Sequence, residues 1–103
     1  MTAYILAQLR FKDMAAYRRY QSAFPAVFSK FNGRVLIADE APVPLEGELN
    51  QDKVVLLEFP DAEDARRFAD DPEYREIARD RIRGADSILT LLKGFEPRKP
   101  TPS

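Results

Sequence analysis

The order of periodic segments predicts an α+β domain of the ferredoxin-like type, βαββαβ, with a four-stranded antiparallel sheet and its helices on one face. Alternating or continuous apolar stretches, the pattern of strands, fall at residues 3–11, 34–38, 53–59 and 86–93. Segments with apolar residues three and four apart, the pattern of helices, separate the first strand from the second and the third from the fourth. The chain has 103 residues, which is room for one domain. In this fold the strands lie in the spatial order 4-1-3-2.

The first strand alternates Ala3, Ile5, Ala7 and Leu9 on one side with Tyr4, Leu6, Gln8 and Arg10 on the other. Asp13 then offers a carboxylate to the free amides of a first helical turn. The helix it opens carries Met14, Tyr17, Tyr20, Phe24, Val27, Phe28 and Phe31. Pro25 removes a backbone donor inside that pattern and predicts a kink or two consecutive helices. Asn32-Gly33 predicts a left-handed C-terminal cap. After a short second strand, residues 39–52 hold Pro42, Pro44 and Gly47 among acidic residues and read as a long loop.

The third strand contains VVLLEF, the most buried-looking run in the chain. Asp61 caps a helix over residues 62–69 that presents Ala65 and Phe68. Asp71-Pro72 restarts it, with proline at the first helical position, and the second piece carries Tyr74, Ile77, Ala78 and Ile82 as far as Gly84. DSILTLLK forms the fourth strand. Residues 1–94 thus make one domain, and the Pro-rich stretch 95–103 is expected to be a mobile tail.

Composition excludes several functions. Lys and Arg number 16 against 17 Asp and Glu, a net charge of −1, so no overall field attracts nucleic acid or anionic membrane. No apolar run is long enough to span a bilayer, and the N-terminus lacks the basic start of a secretory signal, so a cytoplasmic location is expected. The chain has neither Cys nor His. Catalysis by Ser-His-Asp or Cys-His is therefore out, and no resident cofactor or metal is expected. The acidic loop, with Asp39, Glu40, Glu46, Glu48 and Asp52, lacks the ligand spacing and fixed glycine of a calcium loop.

The face turned away from the helices poses the sharper question. With Ile5, Ala7, Leu9, Val35, Ile37, Val55, Leu57 and Phe59 toward the helices, the other side carries Leu6, Leu36, Ala38, Val54 and Leu56 at its centre. The fourth strand adds either Ser87, Leu89 and Leu91 or Ile88, Thr90 and Leu92. A free sheet face is ordinarily polar. This one predicts a cover, either the sheet of a second copy in a homodimer or the chain's own tail.

The phrases AYILAQLR, Gly33-Arg34, LLEFPDAEDA and DPEYREIARDR, together with Tyr17 and Tyr20, resemble the uncharacterised family called domain of unknown function thirteen-thirty. The likeness runs from Ala3 to Lys93, with Glu58-Phe59-Pro60 and Pro72-Glu73-Tyr74 as its most specific signals. It implies membership of the dimeric α+β barrel superfamily, in which two ferredoxin-like sheets close around an internal cavity. That superfamily includes cofactor-free monooxygenases, haem-handling enzymes, muconolactone isomerases and stress-response proteins. The acidic loop departs from the family's common pattern.

Arg34 and Glu58 are the expected catalytic pair. They come opposite each other across the second and third strands and point to the open face. There the pair suits acid/base work or anchoring of a substrate carboxylate, and equally a structural ion pair at a dimer seam. Tyr4 and Gln8 offer a phenol and an amide beside it. In the family-like motif, Tyr74 reaches a pocket edge with Arg81, whereas Tyr20 reads as core. Arg75, Arg79 and Arg83 interleave with acids on a solvated helix surface.

The function expected is binding of a small, partly apolar, carboxylate-bearing molecule between the sheets of a homodimer. Any activity implied by the superfamily is cofactor-independent acid/base or oxygenase-like chemistry. The alternative is a non-enzymatic dimerisation or interaction module with a fully packed seam.

Overall fold

The computed structural model describes residues 1–95. It contains β1 (Ala3–Phe11), α1 (Met14–Phe28), β2 (Arg34–Asp39), β3 (Lys53–Phe59), α2 (Ala62–Asp70), α3 (Pro72–Gly84) and β4 (Ala85–Lys93). The strands pair antiparallel in the order β2-β3-β1-β4, the expected arrangement read from its other edge. Most of the expected tail, from residue 96 on, lies outside the described residues.

All three helices pack on one face of the sheet. Ala3, Ile5, Ala7 and Leu9 of β1 join Leu57 and Phe59 of β3 as the floor of the core. Tyr17, Tyr20, Val27 and Phe28 of α1, Phe68 of α2 and Tyr74 and Ala78 of α3 cover them. Capping follows the sequence: the carboxylates of Asp13, Asp61 and Asp71 accept from the amides of Ala16, Asp64 and Tyr74 at 3.2, 2.8 and 2.9 Å.

Four local expectations are corrected. Pro25 does not divide α1, which runs through it as one helix. The ring's fixed φ is compatible with a helix, and Phe24 and Phe28 on either side stack on each other with centroids 4.9 Å apart. The helix also stops at Phe28, short of Asn32-Gly33, with Ser29 as its cap in right-handed geometry.

Neither Gly33 nor Gly84 adopts a positive φ; among the described residues Gly47 does, at 78°. Gly33 and Gly84 instead serve close packing. A Cβ on Gly33 would stand 2.6 Å from the Phe28 ring, and one on Gly84 would stand 2.5 Å from the backbone nitrogen of Tyr17. The carbonyl of Gly84 accepts from the amides of Lys12 and Asp13, so α3 ends locked against the start of α1.

The last correction concerns β2. Val35 pairs with Leu57, but Ile37 pairs with Leu56, so one extra residue is accommodated between them. Because side chains alternate with period two, this bulge exchanges the faces of all that follows. Ile37 turns to the open face with Leu56, and Ala38 turns to the helix side with Val55, the reverse of the expectation. The register of β4 decides the other open point. Gln8, Leu6 and Tyr4 pair with Ile88, Thr90 and Leu92, which therefore share the open face.

Candidate functional site

The inward side of β3 begins with a charge. Lys53 pairs with buried Leu9, and parity sends it toward the helices, where it is 3% exposed. Its ammonium lies 4.9 Å from the centre of the Tyr17 ring and donates to Glu40 Oε2 at 3.2 Å. The same carboxylate takes both terminal nitrogens of Arg18, at 2.6 and 2.7 Å. Glu40 thus ties the end of β2 to α1 and β3.

The Arg18 hydrogen bond first, and the Lys53 bond after it, hold the Glu40 carboxyl at about 2, below its ordinary 4.5. A folded-state pKa below the unfolded one means the contribution is complete above about 4.5 and lost as pH falls toward 2. Thermal melts across that window are expected to show a fall in Tm that is shallower in Glu40→Gln. Parallel curves for the two proteins would show that Glu40 does not cause the fall.

Beside Lys53 a cavity of about 180 Å³ opens between the sheet and the helices. Ile5, Ala7, Val55 and Leu57 form its floor, and Phe24, Phe68 and Leu89 contribute to its walls. It reaches solvent, since the lining residues Val35 and Leu89 remain 47% and 39% exposed. Among the described residues no carboxylate lines it. Its polar groups are Tyr17, Tyr20, Gln21, Lys53, Tyr74 and Arg81.

Helical spacing brings the last two together. Tyr74 opens α3 on the Asp71 cap, and Arg81 follows two turns later, with small, buried Ala78 on the same face. The hydroxyls of Tyr20 and Tyr74 lie 3.1 Å apart and share one hydrogen bond. Burial, reinforced by Tyr74, pushes the Tyr20 phenol far above its ordinary value, against the pull of the nearby Arg81 charge. Tyr20 is therefore a neutral hydroxyl and no base. The Nε–H of Arg81 is buried and has no acceptor among the described residues.

The other expected residues stand across the sheet. Arg34 donates from Nε and Nη2 to Glu58 Oε1 at 2.9 and 2.6 Å on the open face. Tyr4 neighbours Glu58 in the ladder, and Gln8 neighbours Val54. The structure therefore unites Tyr74 with Arg81 and Arg34 with Glu58, and puts a sheet between the two pairs.

The family model of the domain of unknown function DUF1330 matches residues 2–95, nearly all of the chain. The chain belongs to the DUF1330 family. Among solved structures, this DUF1330 protein is similar to a protein of unknown function from Rhodopseudomonas palustris at 25% identity and a TM-score of 0.77, covering 93% of this chain and 84% of that one. A dimeric ferredoxin-like protein of unknown function from Jannaschia sp. aligns at 13% identity and a TM-score of 0.68, over 91% and 100% of the two chains. A mutant of SnoaB, a cofactor-independent oxygenase from Streptomyces nogalater, aligns at 16% and 0.59, over 99% and 98%. The likeness to the Jannaschia protein shows the ferredoxin-like fold. No protein of curated function matches the DUF1330 chain in sequence.

Sequence reasoning missed Lys53, Gln21 and the polar role of Tyr20 in this DUF1330 member. A signal for Lys53 was present: it occupies the inward parity of Val55, Leu57 and Phe59, where a lysine needs a buried partner. Tyr20 carried none, because an aromatic at helical spacing looks the same whether its hydroxyl is spare or used. Among the described residues, no three potential metal ligands cluster and no helix is long and apolar enough to cross a membrane.

Proposed function

We propose that this DUF1330 protein binds a small, partly apolar organic molecule in the cavity between its sheet and helices, and that two copies associate through their open sheet faces. The observation that carries the binding reading is an apolar chamber, open to solvent, on which a few polar groups converge. A chamber inside each subunit also removes the conflict between a ligand site and a packed seam, because the two occupy opposite faces of the sheet.

Support for the pairing comes from the open face. Ile88 is 56% exposed, and Ile37 and Leu92 are 45% and 39% exposed, beside half-buried Leu6, Val54 and Leu56. Covering each such side chain is worth up to about 1.5–3 kcal/mol. Solved proteins of this fold from Bacteroides fragilis, Jannaschia sp. and Thermobifida fusca are described as dimeric. In this reading Arg34–Glu58 is a cross-strand ion pair at the seam, bordered by Tyr4 and Gln8. The fold-level likeness to SnoaB supports cofactor-independent chemistry as the reaction class.

Indole, a small neutral aromatic, tests the cavity. It is expected to raise the Tm of the wild-type protein, and Ala7→Leu, which fills the floor, is expected to abolish the rise. No shift in the wild type, or an equal shift in both proteins, would refute the binding site.

A further inference from the structure

The polar groups of the cavity are unequal in what they still lack. Lys53 has its counter-charge in Glu40 at 3.2 Å. Arg81 forms no salt bridge among the described residues, and its Nε–H is buried without an acceptor. The Tyr20–Tyr74 pair has two phenolic protons, of which their mutual bond uses one. The other has no acceptor among the described residues. A buried cationic donor and a hydroxyl donor without acceptors, with no carboxylate in the walls among the described residues, describe a receptor for one anionic oxygen group.

Size and lining describe the rest of the ligand. An apolar cavity of roughly 150 Å³ accommodates benzene. The present cavity, at about 180 Å³, has room for one six-membered ring with a small head group. Phe24, Phe68 and Leu89 give that ring apolar walls. A second anionic group on it would meet those walls with no further unpaired cation among the described lining residues to receive it.

We infer that the cavity takes a single-ring organic monocarboxylate, its carboxylate on the Arg81 Nε–H and the free hydroxyl of the Tyr20–Tyr74 pair. This rests on the cavity being the binding site, and it adds the charge, the size and the anchoring residues.

Calorimetric titration with benzoate, benzamide and phthalate tests it, with the indole shift as a control for the cavity itself. Benzoate is expected to bind wild-type protein at least tenfold more tightly than benzamide, which places an amide donor against the receptor's donors, or phthalate, which adds a second charge. Arg81→Gln is expected to lose at least tenfold in benzoate affinity while keeping the indole shift, which shows an intact cavity. Benzamide or phthalate binding as well as benzoate would overturn the inference, as would unchanged benzoate affinity in Arg81→Gln. Indole binding without benzoate binding sinks the monocarboxylate and leaves the cavity standing; failure of both sinks the cavity too.

Discussion

Phe68→Ala is expected to destabilise the domain by about 3–5 kcal/mol, the usual cost of truncating a buried phenylalanine. Phe68 is 1% exposed, and its ring is the hub of the core. Tyr74 lies 4.3 Å from it between centroids, Phe28 5.3 Å, Phe31 5.4 Å, Phe59 5.6 Å and Phe24 6.0 Å. Those rings come from α1, the turn after it, β3 and α3, so no single movement of one element can collapse the void. The deletion also removes a wall of the cavity and the support of Tyr74. Urea unfolding should therefore show a large loss in midpoint, with Phe68→Leu well short of it. A loss under about 1 kcal/mol for the alanine variant would mean that the ring is not the keystone described.

The second large effect is on assembly. Leu56 sits in a central strand on the open face, between Leu6 and Ile37 in the ladder. Leu56→Lys would put two unpaired ammonium groups into a twofold seam, one from each copy. The dimer dissociation constant is expected to rise at least a hundredfold, about 2.8 kcal/mol. Fold and thermal cooperativity should persist, because the residue is only half-buried within one subunit. Sedimentation at micromolar concentration checks this. A dimeric wild type and a monomeric variant are expected; a monomeric wild type, or a variant that sediments like it, contradicts the seam.

How far the amino-acid sequence could be followed depended on whether one periodicity dominated locally. In β1, Ala3, Ile5, Ala7 and Leu9 alternate with half-buried residues, and both the strand and its buried face were legible. In β2 the run Val35-Leu36-Ile37-Ala38 is apolar at every position, so nothing in it marks where a bulge exchanges the faces. Gly33 suggests a cap and Gly84 closes a helical segment, yet the need for them comes from the rings of Phe28 and Phe59 and from the backbone of Tyr17.

The site shows the same division. The Arg34–Glu58 pairing follows from register alone, and Tyr74 with Arg81 follows from helical spacing and family likeness. Which pair shares a chamber with Tyr20 and Lys53 depends on how α1 and α3 cross the sheet, and no local pattern encodes that. Glu40 reads as one acid among several, and its partners Arg18 and Lys53 lie on different elements.

Ligand chemistry is expected in the chamber beneath the helices rather than on the open sheet face. Side-chain ¹⁵N NMR of the arginine Nε–H groups during a benzoate titration tests it most directly, because Arg81 and Arg34 report on the two faces separately. A saturable shift of the Arg81 signal is expected, with Arg34 unmoved. A saturable shift of Arg34 with Arg81 unmoved would contradict it.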